Sequence, residues 1–219
     1  KIEAQEFLGM KKKDITISGP AYYFGQNDVD DNKVESFRKN FFIEKNTFFL
    51  CYAGSSKGLN EITHLKKIDK LITNSNENIK VLYRPHPWKE FHKNEELFNN
   101  KDFKNIFLDP FSAKNYSNLF KKKSMNIHDV SPNCISLILK SVDAVFSPLS
   151  TFIIDAAAAG KPTASYNYDD GGNSKFFGLF KKRVELNNFN EEIQSIQCNH
   201  FDEIWSTVLK LKKLSKDEK

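Results

Sequence analysis

Short apolar runs alternate with segments of helical periodicity along the chain, and this alternation limits the fold more than any other feature of the sequence. The apolar runs have the length and character of buried strands, and they lie at 47–54, 78–87, 105–110, 143–148 and 162–168. The helical segments lie at 61–73, 88–99, 133–141, 150–159 and 201–214. Because such alternation over short connections builds a parallel sheet, the sequence predicts an α/β fold, a doubly wound parallel sheet with helices on both faces. We expect its central strands to carry Cys51, Leu82, Phe107, Val145 and Ala164.

The first 40 residues differ from the rest of the chain. A run of three lysines at 11–13 is followed by a brief β-branched stretch that ends in a Gly-Pro turn, and residues 25–33 are polar and loop-like. The chain opens at Lys1 and shows no signal peptide, so we expect a fragment or a processed form. The sequence therefore predicts a linker and remnant of an upstream domain over residues 1–40, and one α/β domain over residues 41–219.

Charge and cysteine content exclude several classes of protein. The net charge of +5 suits an anionic ligand such as a nucleotide, or peripheral contact with an acidic membrane surface, but it is too small to indicate nucleic-acid binding. The three cysteines show no CxxC spacing and the five histidines show no HxxxH or HExxH pattern, so we expect reduced thiols and no metal site. No apolar run approaches the roughly 18 residues needed to cross a bilayer. These features favour a cytoplasmic protein, with the inner face of the membrane as an open alternative.

The strongest candidate site begins where the fourth strand ends. Ligands of doubly wound sheets bind outside the carboxyl ends of the strands, and here a helix follows Ser147 and begins at Ser150 or Thr151. The free N–H groups and the positive dipole end of the first helical turn attract phosphate, and the two hydroxyl groups add donors at the same place. The alternative is that Ser150 is an ordinary helix cap.

Two further segments follow strands at the same predicted edge. Prolines on both sides of His86 stiffen the segment Arg84–Pro87, so that His86 can donate a hydrogen bond to a phosphate beside the Arg84 cation; alternatively, His86 packs on Trp88. The turn Gly54-Ser55-Ser56 follows the first strand and is either a phosphate-binding turn or an ordinary loop. Asp169 and Asp170, after the fifth strand, bind sugar hydroxyls or a metal, or form a solvated turn.

These motifs carry a resemblance to a known family. A strand that ends in His-Pro, followed later by a strand, Ser-x-x-Ser/Thr, a helix and Gly-Lys-Pro, resembles the Rossmann-like C-terminal domain of GT-B glycosyltransferases. It is most similar to the bacterial surface-carbohydrate branch: sialyl- and polysialyltransferases, capsule Kdo-transferases and glycerophosphotransferases of teichoic acid synthesis. In these families the histidine and the Ser/Thr pair contact the donor's phosphates, which implies that role for His86, Ser150 and Thr151. The Ser-Gly-Gly-x-x-x-Glu motif of UDP-N-acetylglucosamine 2-epimerases is absent, although Asp155 stands near its acidic position.

The resemblance implies a function and a set of site residues. The chain would be the donor-binding half of a glycosyltransferase that takes a sugar from a CMP-, CDP- or UDP-linked donor to a glycan or lipid-linked acceptor. His86 and Arg84 would stabilise the leaving phosphate without a cofactor or a required metal, and the catalytic base would lie in an N-terminal domain. The residues expected to bind the donor are Gly54, Ser55, Ser56, His86, Pro87, Ser147, Ser150, Thr151 and Asp155. We expect His86, Ser150 and Thr151 to converge on one cleft. A nucleotide-sugar 2-epimerase and a non-catalytic nucleotide-sugar-binding domain remain alternatives.

Overall fold

The computed structural model describes most of the chain. The described residues are 5, 9–15, 29–56, 60–89, 91, 96–121, 132–148, 150–166, 168 and 193–217; at 119, 120, 132, 133 and 217 only the backbone is described. The predicted strand near residues 14–20 and the carboxylates Asp169 and Asp170 fall largely or wholly outside this part of the chain.

A single parallel sheet of six strands forms the centre of the described structure. The strands are β1 (Phe48–Ala53), β2 (Ile79–Arg84), β3 (Ile106–Leu108), β4 (Ala144–Pro148), β5 (Thr163–Tyr166) and β6 (Ile196–Cys198). Their spatial order is β3-β2-β1-β4-β5-β6, and every pairing is parallel. This is the strand order of a Rossmann fold, in which the chain reverses its direction of sheet growth between β1 and β4. The predicted doubly wound α/β fold is therefore confirmed.

Helices cover the sheet on both faces, as the alternation predicts. They are α1 (Asp31–Lys39), α2 (Glu61–Thr73), α3 (Pro110–Phe120), α4 (Pro132–Ser141), α5 (Thr151–Ala158) and α6 (Ile204–Asp217). Alternate residues of each strand face opposite sides, so Leu50 and Tyr52 belong to the core beneath α2 and α6, while Cys51 belongs to the core beneath α1, α4 and α5. No helix in the described ranges has the length and apolar character that crossing a membrane requires.

The structure corrects several details of the sequence-based prediction. Phe107 lies on β3, which is an edge strand and not a central one, whereas the other four marker residues lie on inner strands. The predicted helix at 88–99 does not form over the residues described there, because the chain turns at Pro87–Trp88 and runs irregularly through 96–99. Helix α3 and strand β6 were missed, although Asp109 and Pro110 are suitable residues for the cap and the first position of a helix.

Helix α1 lies in the segment assigned to a linker, and part of it falls within the loop expected at 25–33. Its side chain Phe37 is buried and stacks on Phe111 of α3, with ring centroids 5.9 Å apart. Arg38 donates to the carbonyl of Ser141 at 2.5 Å and lies 3.6 Å from the Asp143 carboxylate. The domain boundary at residue 40 stays a prediction, but these contacts join residues 31–39 to the sheet.

Candidate functional site

The candidate site residues follow three neighbouring strands of the sheet. β1 lies between β2 and β4, and the register pairs Ala53 with Arg84 and Tyr52 with Phe146. The carboxyl ends of these strands therefore meet at one edge, beside the switch point between β1 and β4, where doubly wound sheets bind ligands. The turn after β1, the segment after β2 and the start of α5 all leave the sheet at this edge.

Arg84 is a buried cation that forms no salt bridge with any of the described residues. The residue is 7% exposed, and its guanidinium carbon lies 4.4 Å from the ring centroid of Phe152, in the first turn of α5. No hydrogen bond or ion pair to its side chain occurs in the described structure. Burial raises the pKa of Asp109, which follows β3, while its hydrogen bond with Ser112 and the charge of Arg84 lower it, so Arg84 and Asp109 interact electrostatically. A buried charge that is not paired costs free energy, which makes this position suited to an anionic ligand.

The start of α5 differs from an ordinary capped helix. Ser150 has extended backbone geometry, with φ −146° and ψ 160°, but its side chain makes no capping hydrogen bond. Its hydroxyl group lies 3.0 Å from that of the buried Ser147 instead. The amide of Ile153 donates to the carbonyl of Ser150, while the amides of Thr151 and Phe152 donate to no group in the described structure. These two amides can therefore bind an anion beside Arg84.

His86 is half-buried and held in one orientation. The amide of Trp88 donates to its Nδ1 at 3.0 Å, so in the neutral ring the proton is on Nε2, which is left as a donor. Burial and, after it, the nearby charges of Arg84 and Lys89 lower the pKa of His86 to about 4. The rings of His86 and Trp88 lie 6.1 Å apart, so the contact with Trp88 considered as an alternative also exists. Pro87 is half-buried in the same turn.

The lowered pKa of His86 leads to a prediction about pH. Between about pH 6.5 and about pH 4 the unfolded chain binds a proton at this residue and the folded chain does not. The stability that the neutral ring contributes is therefore fully present above pH 6.5 and is lost as the pH falls towards 4. His86→Asn, which keeps an acceptor for the Trp88 amide, should flatten this part of the stability profile. Urea unfolding at pH 7 and pH 5 measures it, and an equal loss in both proteins would contradict the assignment.

The turn after β1 uses two of its amides within the protein, and that of Gly54 donates to the carbonyl of Arg84 at 2.8 Å. The Ser55 amide donates to Oε1 of Glu61 at 2.7 Å, and Ser55 itself is buried. A side chain at Gly54 would place its Cβ 2.5 Å from Oε2 of Glu61, so a glycine is needed here for the approach of a carboxylate. Ser56 is half-exposed and is the member of the turn best placed to reach a ligand. The rest of the GSSKG motif lies outside the described residues.

Asp155 and the cysteines are the remaining residues for which the sequence led to an expectation. Asp155 is buried on α5, one turn after Thr151 and hence on the same side of the helix. No disulfide joins Cys51, Cys134 and Cys198, and burial raises the pKa of Cys51 to about 12, so this thiol stays protonated. Within the described ranges, no group of three or more histidine, cysteine or acidic side chains is arranged to hold a metal ion.

Sequence reasoning missed a set of buried polar residues behind the site. Glu61 and Lys89 form an ion pair of 3.5 Å, and the hydroxyl of Tyr83 donates to the same carboxylate at 2.5 Å. Next to them, His64 lies within hydrogen-bonding distance of the hydroxyls of Tyr52 and Tyr168. The only sequence signal for Glu61 was its place at the first position of a helix, since nothing local shows that it points inward.

The contacts therefore join Arg84 directly to the first turn of α5 through Phe152. They place His86 and its neighbours at the same edge of the sheet through the strand order. The convergence of His86, Ser150 and Thr151 on one cleft, and the ligand-binding roles of the nine candidate residues, stay predictions.

Comparison with known proteins adds a likeness in fold. No protein-family model and no curated protein matches the chain. The structure is similar to that of the wall teichoic acid polymerase TagF in a histidine-to-asparagine variant, with 13% identity and a TM-score of 0.48 over 98% of this chain and 56% of the polymerase. A second TagF structure, the same variant soaked with CDPG, matches with 15% identity and a TM-score of 0.46, over 98% of this chain and 55% of that one. The chain thus spans about half the length of these two structures.

Proposed function

We propose that this chain is the donor-binding half of a glycosyltransferase, and that the edge between β2 and α5 binds the phosphates of a nucleotide-activated sugar. The observation that supports this most is Arg84, a cation that is 7% exposed and has no ion pair or hydrogen bond within the described structure. Phosphate suits this position for two reasons. The switch point of a Rossmann sheet is where ligands bind, and a planar guanidinium group can donate to two phosphate oxygens at once.

The groups around Arg84 supply a complementary set of donors. The amides of Thr151 and Phe152 and the dipole of α5 attract negative charge, and the hydroxyls of Ser150 and Thr151 add directed hydrogen bonds. His86 is neutral at pH 7 and offers the Nε2 proton, so it can donate to a phosphate oxygen without the cost of burying another charge beside Arg84. Charge that develops on the leaving phosphate would be stabilised by fixed dipoles and one cation.

The motif resemblance is the basis for the proposed substrates. The donor would be a CMP-, CDP- or UDP-linked sugar, and the acceptor would be a glycan or a lipid-linked acceptor. That resemblance also supports a bacterial surface-polysaccharide role and GT-B organisation with a partner domain that supplies the catalytic base. The cysteine content and net charge support a cytoplasmic location, with peripheral contact at the inner face of the membrane as the alternative. We propose that Asp155, one turn into α5, is the acidic residue of this helix that contributes to donor binding. No specific observation favours an epimerase.

The double change Ser150→Ala with Thr151→Val tests the proposal. Each hydrogen bond to a charged phosphate contributes about 1.5–3 kcal/mol, so affinity for CDP or UDP should fall at least about tenfold. Stability should change little, because Ser150 does not cap α5 with its side chain. Calorimetry with CMP, CDP, UDP and cytidine measures the affinities.

Ser117→Ala, at an exposed position of α3, is the matched control and should bind like the unaltered protein. If cytidine and CDP lose affinity equally in the double variant, the hydroxyls do not contact phosphate. If the unaltered protein binds none of the nucleotides, the proposed function is wrong.

A further inference from the structure

Behind the candidate phosphate site lies an ion pair that is almost completely removed from solvent. The side chain of Glu61 is 0% exposed and that of Lys89 is 2% exposed, and the nitrogen of Lys89 lies 3.5 Å from Oε2 of Glu61. Burial of such a pair is not an efficient source of stability, because two apolar side chains of similar volume usually stabilise a core as well. The pair therefore calls for another explanation.

The carboxylate of Glu61 joins the ends of two strands. Its Oε1 accepts the amide of Ser55 after β1, and its Oε2 accepts the hydroxyl of Tyr83 near the end of β2. Gly54 leaves room for it, since any Cβ there would come within 2.5 Å of Oε2. Glu61 is also the first residue of α2, where the helix dipole favours a negative charge. The turn Gly54–Ser56 is thus fixed to β2 and α2 by one carboxylate.

Lys89 extends this connection to the histidine segment. Its backbone amide donates to the carbonyl of His86 at 3.1 Å, which closes the turn 86–89. Its side chain ends at Glu61, and its charge is one of the two that lower the pKa of His86. The turn that carries His86 and the turn Gly54–Ser56 are therefore both tied to the same buried carboxylate.

We infer that Glu61 and Lys89 are positioning residues of the candidate site: their ion pair holds the turn of His86 and the turn Gly54–Ser56 at fixed positions relative to each other. This inference rests on the proposed function for its ligand, a nucleoside diphosphate, but the positioning itself can be measured without a ligand. Small displacements of groups that hold a charged ligand weaken binding strongly, which gives a rigid and directional ion pair an advantage over apolar contacts.

The test replaces the pair by neutral side chains of similar shape, Glu61→Gln with Lys89→Met. The matched control is Glu77→Gln with Lys212→Met, which removes an ion pair before β2, at the opposite edge of the sheet. We expect the first double variant to bind CDP at least about tenfold more weakly, with cytidine affinity unchanged, and the control to bind like the unaltered protein. In ligand-free protein, the pKa of His86 by NMR should rise only in part from about 4, because burial and the Arg84 charge, the two larger causes of its lowering, remain when the Lys89 charge is gone.

The readouts separate this inference from the proposed function. Unaltered CDP affinity in Glu61→Gln with Lys89→Met would overturn the inference. If the unaltered protein binds no nucleotide, the proposed function fails, and the inference is then decided by hydrogen exchange of the two amides that hold the turns, those of Ser55 and Lys89. Faster exchange of both amides in the double variant supports the inference, and unchanged exchange of either amide overturns it. Should the double variant not fold, Tyr83→Phe removes a single hydroxyl from Glu61. We expect Tyr83→Phe to lower CDP affinity by a few-fold. An unchanged CDP affinity in this variant would count against the inference.

Discussion

Arg84→Met is expected to abolish most nucleotide binding while leaving the ligand-free protein at least as stable as before. A bidentate guanidinium–phosphate contact makes two charge-assisted hydrogen bonds of about 1.5–3 kcal/mol each, so CDP affinity should fall by more than about a hundredfold. The side chain is buried without an ion pair in the described structure, so methionine removes a desolvated charge from an environment that suits an apolar group. The loss of the contact with the Phe152 ring and of the electrostatic interaction with Asp109 offsets part of this gain.

Calorimetry with CDP and urea unfolding of the ligand-free protein measure the two effects. Arg38→Met is the matched control, because Arg38 is paired with Asp143 and with the carbonyl of Ser141 near the opposite ends of the strands. It should lower the free energy of unfolding by about 1–3 kcal/mol and leave CDP affinity unchanged. A loss of stability in Arg84→Met similar to that in Arg38→Met, with nucleotide affinity retained, would show that Arg84 has a structural role only.

Phe37→Ala should lower the free energy of unfolding by about 3–5 kcal/mol, a large part of the roughly 5–15 kcal/mol that is usual for a domain. Phe37 is 5% exposed and contacts two other rings, stacked on Phe111 and edge-on to Phe41 at 5.0 Å. Truncation to alanine removes these contacts and leaves a cavity between α1 and the sheet. Urea unfolding followed by circular dichroism gives the difference.

Phe42 provides the comparison within the same segment. It is 79% exposed, so Phe42→Ala should change the free energy of unfolding by less than about 0.5 kcal/mol. Similar small effects of Phe37→Ala and Phe42→Ala would mean that helix α1 adds nothing to the core, and the division of the chain at residue 40 would then stand. A large effect of Phe37→Ala alone would move the start of the domain to α1.

Local sequence patterns did not predict helix α3 and strand β6, and they wrongly predicted a helix at 88–99. Helix α3 has no strong apolar periodicity, and it forms because Asp109 accepts the Phe111 amide and the Ser112 hydroxyl while Tyr116 reaches the core. Strand β6 has only three residues and gains its conformation from pairing with β5. The expected helix at 88–99 carried apolar residues, but the ion pair of Lys89 and the turn at His86 fix the first part of that segment differently.

For the candidate site, the sequence indicated a location, and the roles of its residues stay predictions. The position of His86, Ser150 and Thr151 directly after strands indicated the carboxyl edge of the sheet, and the strand order agrees with this. The sequence left open whether Ser150 caps α5 and whether the turn Gly54–Ser56 binds phosphate or is an ordinary loop. The structure gives Ser150 no capping bond and gives the Ser55 amide to Glu61.

The sequence by itself determined the succession of strands and helices and the parallel sheet, because apolar periodicity and turn residues act over a few neighbouring positions. Only the tertiary structure decided which strands are central, that Arg84 is buried without an ion pair in the described structure, and that Glu61 and Lys89 meet behind His86. Burial and ion pairing depend on side chains that are far apart in the chain. A charged residue at the end of a strand has the same local sequence whether solvent, a carboxylate or a ligand finally faces it.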